Sequence, residues 1–191
     1  MSTIAEPLPV PAAGKKTDDD SGPCHEFIAD AEGLFLADAD DTILLRDATF
    51  LFKSSLDDDF AKWDCNIPGP AKPATGIIAH RLVRRTKLAA LFKGINQNLD
   101  SLCFNQGQIL QFIVRYAEWF SIGFSARDFD GGTFFLIKSG EIFFVVRIYR
   151  DEKNVLRISI YSLDNGVEYD PKRKNYSIIV LDQKPLPMCE D

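Results

Sequence analysis

Asp38 and Asp40 stand two residues apart just beyond the apolar run Leu34, Phe35 and Leu36, with Asp41 and Thr42 directly after them. In an extended chain alternate side chains point the same way, so the two carboxylates can face one hard cation such as Mg²⁺. A calcium loop of the EF-hand type does not fit this stretch. Counting from Asp38, its sixth position is Ile43 where glycine is needed, and its twelfth is Thr49 where glutamate is needed. A second group is basic: His80, Arg81, Arg84, Arg85 and Lys87, with a further cluster at 172–174, could supply contacts to phosphates. A third sets an aromatic anchor among charges, Arg127, Asp128, Phe129 and Asp130 ahead of Gly131 and Gly132, a composition suited to a binding loop. Cys24 beside His25 is half of a metal site at most, since a closed zinc site needs four ligands. Cys103 with His80 would make a thiol and base pair, but nothing in their flanking residues supports it.

The elements that must position these groups follow from periodicity. Residues 1–23 hold prolines and the run Asp18, Asp19 and Asp20 with almost no large apolar side chain, and are expected to form a disordered tail. Residues 24–65 form an acidic N-terminal subregion, in which Gly33 to Phe52 reads as short strands or as a strand and a helical turn. A short helix is expected at 55–63 from Leu56, Phe60 and Trp63. Pro68, Gly69, Pro70 and Pro73 make 66–76 a linker loop. An α+β core then spans 77–183, and 184–191 is a C-terminal tail. Within the core, a strand is expected over 77–83 and a helix from a Thr86 cap to Gly94. A longer apolar helix over 105–120, capped by Asn105, carries Ile109, Phe112, Ile113, Tyr116 and Phe120. Four β-rich runs follow, near 133–138, 141–150, 154–163 and 176–182. The period-two pattern of Ile142, Phe144, Val146 and Ile148, and of Leu156, Ile158 and Ile160, predicts a four-stranded antiparallel meander packed on the long helix.

Composition narrows the function classes. The chain has 191 residues and a formal net charge of -6. Residues 1–64 carry 15 acidic against 5 basic side chains, a balance of -10, and residues 65–191 carry 13 against 17, a balance of +4. The basic segment can therefore pair with the acidic one inside the fold or present a surface to a partner. No apolar run approaches the roughly 20 residues that a membrane helix needs. The start of the chain lacks the basic cluster and apolar stretch of a signal peptide, and the four cysteines are spread too widely for a disulfide framework. Free thiols and a cytoplasmic location are expected.

The string from Leu34 through Asp38, Asp40 and Thr42 resembles the first motif of haloacid-dehalogenase-type phosphatases. That resemblance implies Asp38 as nucleophile, Asp40 as general acid and base, and Mg²⁺ between them. Lys138, Ser139, Asp128 and Asp130 are the residues available for the family's later motifs. That family builds its site on a parallel sheet, whereas the C-terminal half of this chain reads as hairpins. From residue 77 onward the order of elements also resembles short bacterial α+β proteins, which brings no activity. The preferred reading is a non-enzymatic protein-binding or regulatory module without a resident metal or cofactor. Its partner is another protein, engaged through an open sheet edge or the 127–132 loop with Arg127 and Phe129; Arg81, Arg84 and Arg85 are the further candidate binding residues. The Mg²⁺-dependent phosphatase is the first alternative and a nucleic-acid-associated protein using 81–87 the second.

Overall fold

The computed structural model describes residues 22–27, 34–40, 42–48, 50–52, 58–116, 132–151, 153, 155–171 and 178–185. The tail at 1–21, Arg127, Phe129, the 172–174 cluster and 186–191 lie outside these residues, as do 117–120 of the expected long helix. The strands are β1 (His25–Phe27), β2 (Phe35–Leu36), β3 (Thr75–Leu82), β4 (Thr86–Lys87), β5 (Gly132–Ser139), β6 (Ile142–Arg150), β7 (Leu156–Ser162), β8 (Glu168–Tyr169) and β9 (Ile178–Pro185). The helices are α1 (Asp59–Lys62), α2 (Leu88–Ile95) and α3 (Gln106–Arg115), with 3₁₀ turns at Leu45–Asp47 and Leu99–Leu102.

Antiparallel pairing dominates a mixed main sheet of order β1-β3-β9-β5-β6-β7, with β2 pairing β3 as well, and β4 pairs β8 separately. The expected meander is realised as β5, β6 and β7, joined by antiparallel pairing. The fourth run departs from it. β9 does not extend the meander beside β7 but inserts between β3 and β5, antiparallel to the first and parallel to the second. The reason is the length of the connection after β7, which is too long for a hairpin and long enough to cross two strands.

Period two then assigns the side chains to two cores. On one face Ile77, Ala79, Phe135, Ile137, Val146, Ile148, Ile158 and Ile160 meet Ile109, Phe112 and Ile113 of α3. On the other, Leu82, Phe134, Leu136 and Val145 meet Leu88, Leu91 and Phe92 of α2. β5 is therefore buried on both sides, which explains its unbroken apolar run from Phe134 to Ile137. Leu36, Leu45, Phe52 and Phe60, from the acidic subregion, belong to the first core. At ~25 cal/mol per Å² of apolar surface, each such buried side chain contributes roughly 1.5–3 kcal/mol.

Helix boundaries depart from the sequence reading in two places. Thr86 is not a cap: it pairs with Tyr169 in β4–β8, and α2 starts at Leu88 and carries Gly94 in its last turn. The short helix begins at Asp59, and 53–57 lie outside the described residues. Asn105 does cap α3. Its side chain accepts from the Gln108 amide at 2.9 Å, while the Gln108 side chain accepts from the Asn105 amide at 3.3 Å, a reciprocal capping box.

One glycine is required by its surroundings. Gly132 opens β5 at φ 150°, and a Cβ there would lie 2.8 Å from the Ile148 carbonyl oxygen, a backbone atom that has little freedom to yield. Gly132→Ala is expected to lower the unfolding free energy by about 2–3 kcal/mol. Urea unfolding checks this, and a midpoint equal to the wild type would contradict it.

Candidate functional site

α3 holds the segment that carries the paired aspartates by imitating a neighbouring strand. Its Gln111 side chain accepts from the Ala37 amide at 3.0 Å and donates to the Asp38 carbonyl at 3.3 Å. One turn on, the Tyr116 hydroxyl accepts from the Phe35 amide at 3.0 Å and donates to the Phe35 carbonyl at 2.9 Å. On the other side Ala39 makes an antiparallel bridge to Lys72. Asp38 and Asp40 flank that bridge and border one groove of about 450 Å³ between the aspartate segment and α3.

Apolar groups dominate the groove. Ile43, Phe50 and Val114 line it, and they are 57%, 76% and 60% exposed, so three large side chains lie more than half in solvent within one concavity. Leu110 and Gly107 of α3 form part of its wall. The rim is acidic. Asp40 accepts from the Thr42 amide at 3.1 Å, and this backbone bond, helped by the Thr42 side chain, holds its carboxyl below the usual range. Arg115, the cation at this site, stacks on the Phe35 ring at 4.3 Å and turns toward the Phe35 carbonyl.

Of the residues available to the later phosphatase motifs, Asp128 and Asp130 lie outside the described residues, and Lys138 and Ser139 are placed elsewhere. Lys138 and Ser139 line a different cavity, of about 270 Å³, together with Asp64, Cys65, Lys72 and Cys103. There the Lys138 ammonium pairs with Asp100 at 2.9 Å and Glu141 at 3.5 Å. The hydrogen bond to Asp100, and then the two carboxylate charges, pull its pKa up. The Ser139 hydroxyl donates to the Asp64 carbonyl at 3.2 Å. Burial pushes the Cys65 thiol up to about 11 and the Cys103 thiol to about 12, so both are protonated near neutral pH and unsuited to nucleophilic attack. β2, which leads to Asp38, is a two-residue strand antiparallel to β3 rather than a parallel strand. Among the described residues no group of three or more His, Cys, Asp or Glu side chains is arranged to hold a metal ion.

No family model, curated protein or solved structure matches the chain.

The basic segment is engaged with its neighbours. Arg81 pairs with Glu26 at 3.5 Å, Arg84 donates to the Pro23 carbonyl at 3.1 Å, and Arg85 forms an ion pair with Glu168. Part of the charge asymmetry is thus met within the fold, through Glu26 of the acidic third, while Glu168 of β8 pairs with Arg85 from within the basic portion itself. No helix among the described residues is long and apolar enough to cross a membrane.

The groove residues Ile43, Phe50 and Val114 were not legible as a site. A faint signal existed in Val114, which breaks the polar side of the stripe formed by Ile109, Phe112, Ile113 and Tyr116. Ile43 and Phe50 are apolar residues in an aspartate-rich stretch, where no periodicity tells a buried position from an exposed one.

Proposed function

We propose that the protein is a non-enzymatic binding module that holds an apolar segment of a partner protein, flanked by lysine or arginine, in the groove between residues 38–50 and α3. The observation that carries this reading is the joint exposure of Ile43, Phe50 and Val114 in a single concavity. Large apolar side chains grouped this way lose free energy to water and regain it when another apolar surface covers them. Asp38 and Asp40 at the rim select for cations next to the apolar anchors, which steers the partner and sets its register. Phe50 is the expected anchor, since aromatic side chains dominate interface energetics.

Selection from a displayed library of random peptides tests the reading. The expected outcome is enrichment of peptides that combine spaced apolar residues with lysine or arginine. Their binding should fall by about tenfold or more in Phe50→Asp and in Val114→Asp. Asp38→Asn with Asp40→Asn should weaken binding by a smaller factor and flatten its salt dependence. Enriched peptides that bind the Phe50→Asp and Val114→Asp proteins as tightly as the wild type would overturn the proposal, and so would a preference for acidic peptides.

A further inference from the structure

The chain contains two histidines, 55 positions apart, and the fold brings them together. β1 pairs antiparallel with the end of β3 so that Phe27 faces His80 and His25 faces Leu82. Residues 80 and 82 share a sheet face, so His25 and His80 are diagonal neighbours on it. Their rings meet edge to face, centroids 5.0 Å apart at 86°. His80 Nε2 lies 3.8 Å from Asp182 Oδ2 on β9, and both of those side chains are mostly buried. The opposite wall is α2: the His25 ring and the Cys24 thiol lie against Gly94.

We propose that this pair is an acid-released fastener, in which the ring contact of His25 with His80 holds β1 on the edge of β3 and protonation of His25 frees β1 from the sheet. β1 is only three residues long. Its attachment therefore depends heavily on what its side chains do, because so short a strand offers few ladder hydrogen bonds. A charge on His25 would be placed in a half-buried position beside a second ionisable ring. Among the described side chains, the charged groups on the elements around it are Glu26 on β1, Arg81 on β3 with Arg84 just beyond it, Asp182 on β9 and Lys93 on α2. Arg81 and Glu26 pair with each other, Arg84 donates to the Pro23 carbonyl, and the Asp182 carboxylate lies against His80. The carboxylate nearest the ring pair thus serves His80, and a proton on His25 gains little from it.

Burial first, and then the neighbouring His80, hold the His25 imidazole below its ordinary value of 6.5, against a smaller opposing pull from a hydrogen bond with the Gly94 backbone. For a base whose docked value lies below its free value, the detached state binds more protons between the two. Docking is then fully favoured above about pH 6.5 and weakens as the pH falls below it.

Val83 supplies the reporter, because its amide donates to the Cys24 carbonyl at 3.0 Å only while β1 is in place. Hydrogen exchange of the full chain would be followed at about pH 7.5 and about pH 5.5, corrected for the intrinsic rate at each pH. The wild type should lose Val83 protection by about fivefold or more at the lower pH, while the amides of β6 keep theirs. His25→Phe, which preserves a ring at that position but cannot titrate, should protect Val83 equally at both values. Equal protection of the wild type at both pH values would overturn the proposal, as would the same loss in His25→Phe. Should that variant fail to fold, titration of the wild-type imidazole chemical shifts decides: His25 titrating at or above its ordinary value would overturn the proposal, and below it would support it.

Discussion

Gln106→Ala is expected to destabilise the protein by about 3 kcal/mol or more, although it removes only a polar side chain from the start of a helix. Gln106 is 5% exposed, and both the oxygen and the nitrogen of its amide are engaged. Its Oε1 accepts from the Leu45 amide at 3.1 Å, and its Nε2 donates to the carbonyls of Cys65 at 3.0 Å and Ile67 at 2.9 Å. One amide thus ties the 3₁₀ turn at Leu45 and the segment from Cys65 to Ile67 to α3. Truncation strands one backbone donor and two backbone acceptors, each costing roughly 1–3 kcal/mol where it stays dry. Gln106→Met, which keeps the bulk, should lose nearly as much as Gln106→Ala in urea unfolding. If it retains most of the stability, packing rather than hydrogen bonding is the cause. Gln106→Glu should be as damaging near neutral pH, since a carboxylate would face the Cys65 and Ile67 carbonyls. It should recover in part in acid, where the protonated carboxyl can donate once.

Phe135→Ala should be of similar or greater cost, about 3–5 kcal/mol. Phe135 is fully buried in the middle strand and stands between two other rings, Phe104 at 5.5 Å and Phe112 at 5.4 Å, both edge to face. Removing it takes away its contacts with Phe112 of α3 and with Phe104 and leaves a cavity in the packed core, whose neighbours limit how far it can collapse. Phe135→Leu should cost about 1.5 kcal/mol or less, as a change that keeps most of the volume. Denaturant unfolding of the two variants checks the ratio, and near-equal losses would place the effect in the aromatic contacts rather than in the volume.

The periodic elements were legible because their signals are local. Ile142, Phe144, Val146 and Ile148 alternate along β6, and Ile109, Phe112 and Ile113 mark the buried stripe of α3, so strand and helix follow from spacing alone. The capping role of Asn105 was also readable, since the cap and its Gln108 partner are three positions apart. The place of β9 was not. Which edge a strand joins is decided by partners a hundred positions away, such as Thr75 opposite Pro185, and no window of sequence contains both. Buried amides were missed for a related reason. Gln106 and Gln108 look like the solvent face of a helix, and only the loops folded over them reveal that their partners are backbone groups of Leu45, Cys65, Ile67 and Pro73. The ring contact of His25 with His80 is hidden in the same way, because it depends on β1 returning to the edge of β3.

The insertion of β9 also sets the order in which the sheet can be completed. β3 and the meander are made first by a chain growing from its N-terminus, yet within the sheet they are joined only through β9, which pairs with β3 over Thr75 to Arg81 and with β5 over Gly132 to Phe134. Without that strand, β3 and β5 would each leave a sheet edge lacking its ladder partner. Pairings as distant in sequence as β3 with β9 close slowly, and an edge left open is where a wrong chain can pair. For this fold, then, the hazard in biogenesis lies in the wait for a single late strand, and a chaperone would be of most use at the vacancy between β3 and β5.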